Sequence, residues 1–302
     1  MAWLRLAALI VVMFLPLSGR AEAQTTVDPH DLADNGGYFI EVDGLETYIW
    51  EQGPEDGPVV MLLHGFLGSA FDWRENISAL AEAGYRVIAF DRPPYGLSAK
   101  AADYDYSQAG QAEFTAKLMD TLDISQATLV GHSMGGNVLA HFALRYPERV
   151  NRLIIVSGAI LTVGGPPPPL VDLASSPLFA RPLIAALRSL AESALLEEMP
   201  PEVAERMLAP WQMPGWEDAL IEVVRDSGDS MVDLEALRQI DVPVMLIWGA
   251  DDPVVPVTDG QALREYFPGA LWKMYPETGH LPMSENADQF NQDVLAFLGA
   301  AK

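Results

Sequence analysis

The sequence predicts an α/β fold: a mostly parallel, eight-stranded sheet with helices on both faces and a helical lid inserted after strand 6. Three observations carry that prediction. Val59–Leu63 and Val242–Gly249 are apolar without polar alternation, as strands covered on both faces must be, and Pro243 is tolerable at a strand start. Such runs alternate with helical patterns from Val59 to Val156, the rhythm of crossover helices between parallel strands. Thr128–Ala140 then joins a β-branched, apolar run to an apolar helical pattern through Gly131–His132–Ser133–Met134–Gly135, a G-x-S-x-G turn between strand and helix.

Residues 24–37 form a polar lead-in, and Tyr38–Val42 and Leu45–Trp50 flank Asp43–Gly44, a D-G hairpin turn. Val59–Leu63 ends in the loop His64–Ser69. Asn76–Ala83 reads as a helix stopped by Gly84, and Tyr85–Phe90 as the next buried strand. Asp91–Ser98 holds two prolines and a glycine and fits neither regular element. Ala109–Leu122 is helical, the strand–turn–helix around Ser133 runs on to Tyr146, and Arg152–Val156 is the sixth strand.

The rhythm breaks after Gly158. Gly164–Gly165 and Pro166–Pro169 mark a boundary, and Leu170 to about Leu237 contains no buried-strand run, within an insert spanning residues 161–239. Helical patches replace it at Leu183–Leu196, Pro201–Leu208 and Trp216–Arg225, with Met231–Leu237 as a fourth. These form the expected lid, between core segments 24–160 and 240–302. A helix at Val257–Tyr266, a strand at Leu271–Tyr275 and a closing helix at Asp288–Gly299, with Phe290, Val294, Phe297 and Leu298 on one stripe, complete the chain.

Residues 1–23 read as a signal peptide. Arg5 supplies the positive region, Leu6–Leu15 the apolar core, and Ala21–Glu22–Ala23 the cleavage site, so an exported protein is expected. A retained N-terminal membrane anchor is the runner-up, although the run falls short of the roughly 20 residues a spanning helix needs. The chain has no cysteine, which excludes disulfides, thiolate catalysis and thiolate metal sites. Forty-two acidic against 18 basic residues give a net charge of −24 and argue against nucleic acid or an anionic membrane as partner. No zinc motif, P-loop or dinucleotide fingerprint is present, so no metal and no cofactor are expected.

Four motifs occur in one order: His64–Gly65, Asp91–Ser98 (D-R-P-P-Y-G-L-S), Gly131–Gly136 (G-H-S-M-G-G), and the late pairs Gly249–Asp252 and Gly279–His280. In this the chain resembles the α/β-hydrolase superfamily, over residues 38–298 apart from the lid. Within it the chain is most similar to the small lidded carboxylesterases, haloperoxidases and meta-cleavage-product hydrolases. Pro94 departs from the glycine usual there.

A serine hydroxyl needs a base within reach. Of five histidines, His30 lies in the lead-in, His141 lies mid-helix, His132 adjoins the nucleophile with its side chain expected to leave in another direction, and His64 ends a core strand. His280, in the loop after the last strand, remains, and the family's catalytic histidine occupies that place. The resemblance selects Asp252 over its neighbour Asp251 as the orienting acid. It also supplies the oxyanion donors as the backbone N–H groups of Phe66 and Met134, with His64, Gly65, Gly131 and Gly135 as structural support.

Serine at 133 disfavours the carboxylate-nucleophile routes of dehalogenases and epoxide hydrolases. The expected activity is hydrolysis of uncharged, mainly apolar carboxylic esters through an acyl-enzyme, with Phe66, Trp211 and Trp216 lining the pocket. Carbon–carbon hydrolysis of ring-fission products, lactonase or perhydrolase activity is the alternative with the same triad. A catalytically dead binding protein is disfavoured by the intact Ser133, Asp252 and His280. Oligomeric state is not legible.

Overall fold

The computed structural model describes residues 28–161, 172–176, 178–227 and 231–299. The expected signal peptide and the Gly164–Pro169 boundary lie outside them. Eight strands form one sheet in the order β1-β2-β4-β3-β5-β6-β7-β8. They are β1 (Gly37–Val42), β2 (Leu45–Gln52), β3 (Val59–Leu63), β4 (Arg86–Phe90), β5 (Ala127–His132), β6 (Val150–Val156), β7 (Val244–Gly249) and β8 (Leu271–Tyr275). β1, β2 and β4 pair antiparallel, and every other neighbour pair is parallel. Asp43 and Gly44 both have positive φ, the backbone that a two-residue hairpin requires.

The central strands β3, β5 and β7 lack polar alternation because both faces are buried. Val60 and Leu62 pack into one hydrophobic cluster while Met61 and Leu63 pack into the other. Ile154 against Ile155, and Ile247 against Leu246, divide the same way. One cluster is closed by α2 (Gln108–Thr121), α3 (Met134–Arg145) and α7 (Val257–Leu263). The other is closed by α1 (Ile77–Glu82) and α9 (Ala287–Gly299).

Between β6 and β7 the chain forms α4 (Ala180–Glu198), α5 (Pro201–Leu208) and α6 (Trp216–Asp226). The expected fourth helix is not formed: residues 231–235 include no helix, and Ala236–Gln239 makes a single tight turn. Leu237 and Val232 are spent on the sheet's cluster rather than on a helical face. The helical insert has its own core, in which Leu183, Ile184, Trp211, Trp216, Leu220 and Val224 pack with Tyr95 and Tyr106 of the sheet domain. A second tie is ionic. Arg206 of α5 meets Asp34 of the lead-in at 2.7 Å, both largely buried, and lies over the Phe71 ring.

Candidate active site

The parallel strands deliver the predicted nucleophile, base, acid and oxyanion donors to one edge of the sheet, because each of their motifs follows the carboxyl end of a strand. β5 ends at His132, and Ser133 takes φ 51 and ψ −117 before α3 begins. That backbone is costly for a residue with a Cβ and is held by its surroundings. Ser133 N–H donates to Val156 O at 2.9 Å, and Ser133 O accepts from Gly136 and Ala159 N–H at 3.0 Å each. Gly135 packs directly on the end of β3: a Cβ there would lie 2.6 Å from the carbonyl oxygens of both Leu63 and His64. Met134, the first residue of α3, presents one of the N–H groups that a helix start cannot satisfy internally.

Asp252 follows β7 and is buried, whereas Asp251 is exposed. Its Oδ1 accepts from Val254 and Val255 N–H at 2.9 Å each, and His280 Nδ1 lies 3.0 and 2.9 Å from its two oxygens. Burial alone would raise the Asp252 pKa. The hydrogen bond and charge of His280, with the two backbone N–H groups, outweigh burial and hold the carboxyl below its ordinary value. Because a carboxylate only accepts, Nδ1 of His280 carries the proton and Nε2 keeps a lone pair.

The loop opposite is fixed by buried polar contacts. Arg92 N–H donates to His64 Nε2 at 3.0 Å, so the His64 proton sits on Nδ1, which bonds Gly65 O at 2.8 Å. Burial first, then the Arg92 charge, pushes the His64 pKa well below its usual value, so the ring is neutral. Arg92 Nη2 donates to the carbonyls of His64 and Gly65 at 2.7 and 3.3 Å. A buried cation thus pulls both carbonyls toward it. Tyr95 sets its ring edge-on to His64 and Phe66, and its hydroxyl meets Met134 Sδ at 3.7 Å. The Pro93–Pro94 peptide of the same turn is cis.

This geometry coincides with a family model described as the alpha/beta hydrolase fold, which matches residues 58–188 and 211–287. The chain belongs to that family. A 2-hydroxy-6-oxononadienedioate/2-hydroxy-6-oxononatrienedioate hydrolase of a Pseudomonas species is 33% identical over 257 residues, covering 80% of this chain and 87% of the relative. A solved meta-cleavage product hydrolase from Pseudomonas fluorescens IP01 is 26% identical at TM-score 0.71, covering 87% of this chain and 97% of that one. A solved structure described as a membrane phospholipase A, a bacterial virulence factor, is 27% identical at TM-score 0.71 and covers 98% of this chain and 96% of its own.

In this alpha/beta hydrolase, Ser133, Asp252, His280, Phe66 and Met134 all lie on the carboxyl edge, with His64, Gly65, Gly131 and Gly135 packed beneath them. Trp211 and Trp216, expected to line the substrate pocket, sit in the helical insert. They stack on each other at 5.2 Å and are buried in the core of the helical insert, and the groove they line is shared with Arg181, Arg188, Glu217 and Asp218. Their helical spacing signalled burial and not what they would face.

His132 turns its side chain from the elbow toward the His280 loop, with ring centroids 4.7 Å apart and Nε2 at 2.8 Å from His280 O. Glu285 was missed altogether. Its carboxylate accepts from Leu281 N–H at 2.8 Å and from Gly279 N–H at 2.6 Å, on either side of His280. The spacing of Glu285 five residues after His280 was visible in the sequence, but the fold of the loop was not.

Proposed function

We propose that this hydrolase cleaves carboxylic esters with uncharged, apolar acyl groups through an acyl-enzyme on Ser133. The observation that carries the reading is the bond of His280 Nδ1 to both oxygens of Asp252, since it leaves Nε2 as a base. His280 takes the Ser133 proton as Oγ attacks the ester carbonyl, and returns it to the departing alkoxide. Water, deprotonated by the same nitrogen, then releases the acid. Asp252 holds the imidazole in this tautomer and stabilises its charged form. The N–H groups of Met134 and Phe66 receive the oxyanion. For the preference toward uncharged substrates the support is electrostatic. The guanidinium of Arg92, behind the loop that carries Phe66, donates to the backbone carbonyls of His64 and Gly65.

Carbon–carbon hydrolysis is the second reading, and the curated relatives favour it by name over ester cleavage. The substrate named for the Pseudomonas relative is a dicarboxylate ketone without an ester, so its hydrolysis breaks a carbon–carbon bond. The test is one panel: p-nitrophenyl esters from acetyl to palmitoyl beside 2-hydroxy-6-oxononadienedioate, each with wild type and Ser133→Ala. Ester turnover that falls about 10³-fold or more in Ser133→Ala supports the first reading. Turnover of the dienedioate alone replaces it with the second.

Export is kept as a proposal on the sequence of residues 1–23. A retained N-terminal membrane anchor is the alternative on the same residues. An N-terminus at Gln24 in protein from the native host decides for cleavage, and an intact Met1 in the membrane fraction decides for the anchor.

A further inference from the structure

We infer that His132 and Glu285 are positioning residues that hold the backbone of His280 from two sides, and so set where the base stands over Ser133. The inference rests on His280 being the base. Three anchors meet at this one residue. Asp252 holds the ring through Nδ1. The Glu285 carboxylate spans the loop, one oxygen on the N–H before His280 and the other on the N–H after it. His132 takes the carbonyl of His280 itself, at 2.8 Å across 148 residues of sequence.

The His132 bond also fixes a proton. A carbonyl only accepts, so Nε2 of His132 is the protonated nitrogen, and Nδ1, buried and without a hydrogen-bond partner, is bare. The loop opposite packs closely on that nitrogen: a Cβ on Gly65 would lie 3.0 Å from it and 3.1 Å from Ser133 Cβ. His132 is therefore wedged between the loop at Gly65 and the His280 ring, and its own charging is opposed first by burial and then by repulsion from His280. During turnover the positive charge forms on His280, with a neutral ring beside it. Because His132 directly precedes the nucleophile, its bond links the base's loop to the serine's own strand. Slippage between the two would be felt at the reacting atoms, where a misplacement of about 1 Å costs on the order of 10²-fold in rate.

The test compares His132→Phe, which keeps a packed ring without the donor, with His132→Gln, which places an amide donor near the position of Nε2, and with Glu285→Ala. Kinetics are read on an ester whose turnover is abolished by Ser133→Ala, so that a failure of the function reading is recognised first. The expected result is a kcat lowered about 10- to 100-fold in His132→Phe and Glu285→Ala with KM within about threefold, and a recovery of at least about tenfold in His132→Gln. Loss confined to KM, or equal loss in folded His132→Phe and His132→Gln, overturns the proposal. Independently of any variant, nitrogen NMR of histidine-labelled wild type should show His132 neutral with its proton on Nε2 at neutral pH. A proton on Nδ1, or a charged ring, overturns it as well.

Discussion

Gly249→Ala should disable the site without touching any reacting group. Gly249 ends β7, three residues before Asp252, and packs against the loop that carries His280. A Cβ at this position would stand 2.0 Å from Gly279 O and 2.3 Å from Thr278 O. Real Cβ contacts do not fall below 3.0 Å, so the Gly279 carbonyl must retreat by about 1 Å. The peptide that moves is the one joining Gly279 to His280. Its movement stretches the 2.9 Å bond from His280 Nδ1 to Asp252 beyond hydrogen-bond range. Two further bonds hold the same seam, Asp251 N–H to Thr278 O at 3.0 Å and Ala250 N–H to Tyr275 O at 2.9 Å, so the strain does not relax freely. Overpacking of this kind costs about 1–3 kcal/mol, and each kcal/mol lowers Tm by about 2–4 °C in a chain of this size. The kinetic cost should be larger, on the order of 10²-fold in kcat, from the displaced base. Thermal unfolding by circular dichroism and steady-state ester hydrolysis measure the two. A variant with unchanged Tm and with kcat within about threefold of wild type would refute the reasoning.

Asp252→Asn should cost on the order of 10⁴ in kcat, while Asp251→Asn, at an exposed carboxylate whose backbone alone bonds the His280 loop, should stay within about tenfold; the reverse ranking would move the acid upstream. Trp216→Ala should destabilise by about 3–5 kcal/mol and lower activity in equal proportion for all acyl lengths, because Trp216 is buried in the insert's core; urea unfolding and an acetyl-to-octanoyl profile measure both. His132 gives a pH signature. Its folded pKa, pushed down to about 3 by burial and by His280, lies below the unfolded value of about 6.5. The unfolded chain therefore binds the extra proton, and stability falls as the pH is lowered through that window. The excess stability of wild type over folded His132→Gln should then rise by about 1.4 kcal/mol per pH unit between about pH 3 and 6.5, and level off above. Urea denaturation at pH 4, 5, 6 and 7 tests it, and a difference independent of pH would contradict the assignment.

Much of this protein is written in its local sequence. The segments Val59–Leu63 and Leu271–Tyr275 became strands with those bounds, and Pro201–Leu208 became a helix with those bounds. An unbroken apolar run such as Val59–Leu63 has one stable use, burial on both faces of a parallel sheet, and the motifs that follow such strands must then share one edge. Ser133 was legible for the same reason: a serine between glycines, after a buried strand and before a helix, has its backbone set by its neighbours. Other features depended on residues distant in sequence. Met231–Leu237 carries helical periodicity, but Val232 and Leu237 reach the sheet's cluster, and packing overrode propensity. Spacing could mark Trp211 and Trp216 as buried, yet a helix's apolar face does not name its partner, and theirs proved to be each other within the cluster that also holds Tyr95. The anchoring of His280 by His132 and Glu285 was likewise invisible. A hydrogen bond from His132 across 148 residues exists only once two strand ends are brought side by side, and no pattern along the chain records which carbonyl a buried imidazole will meet.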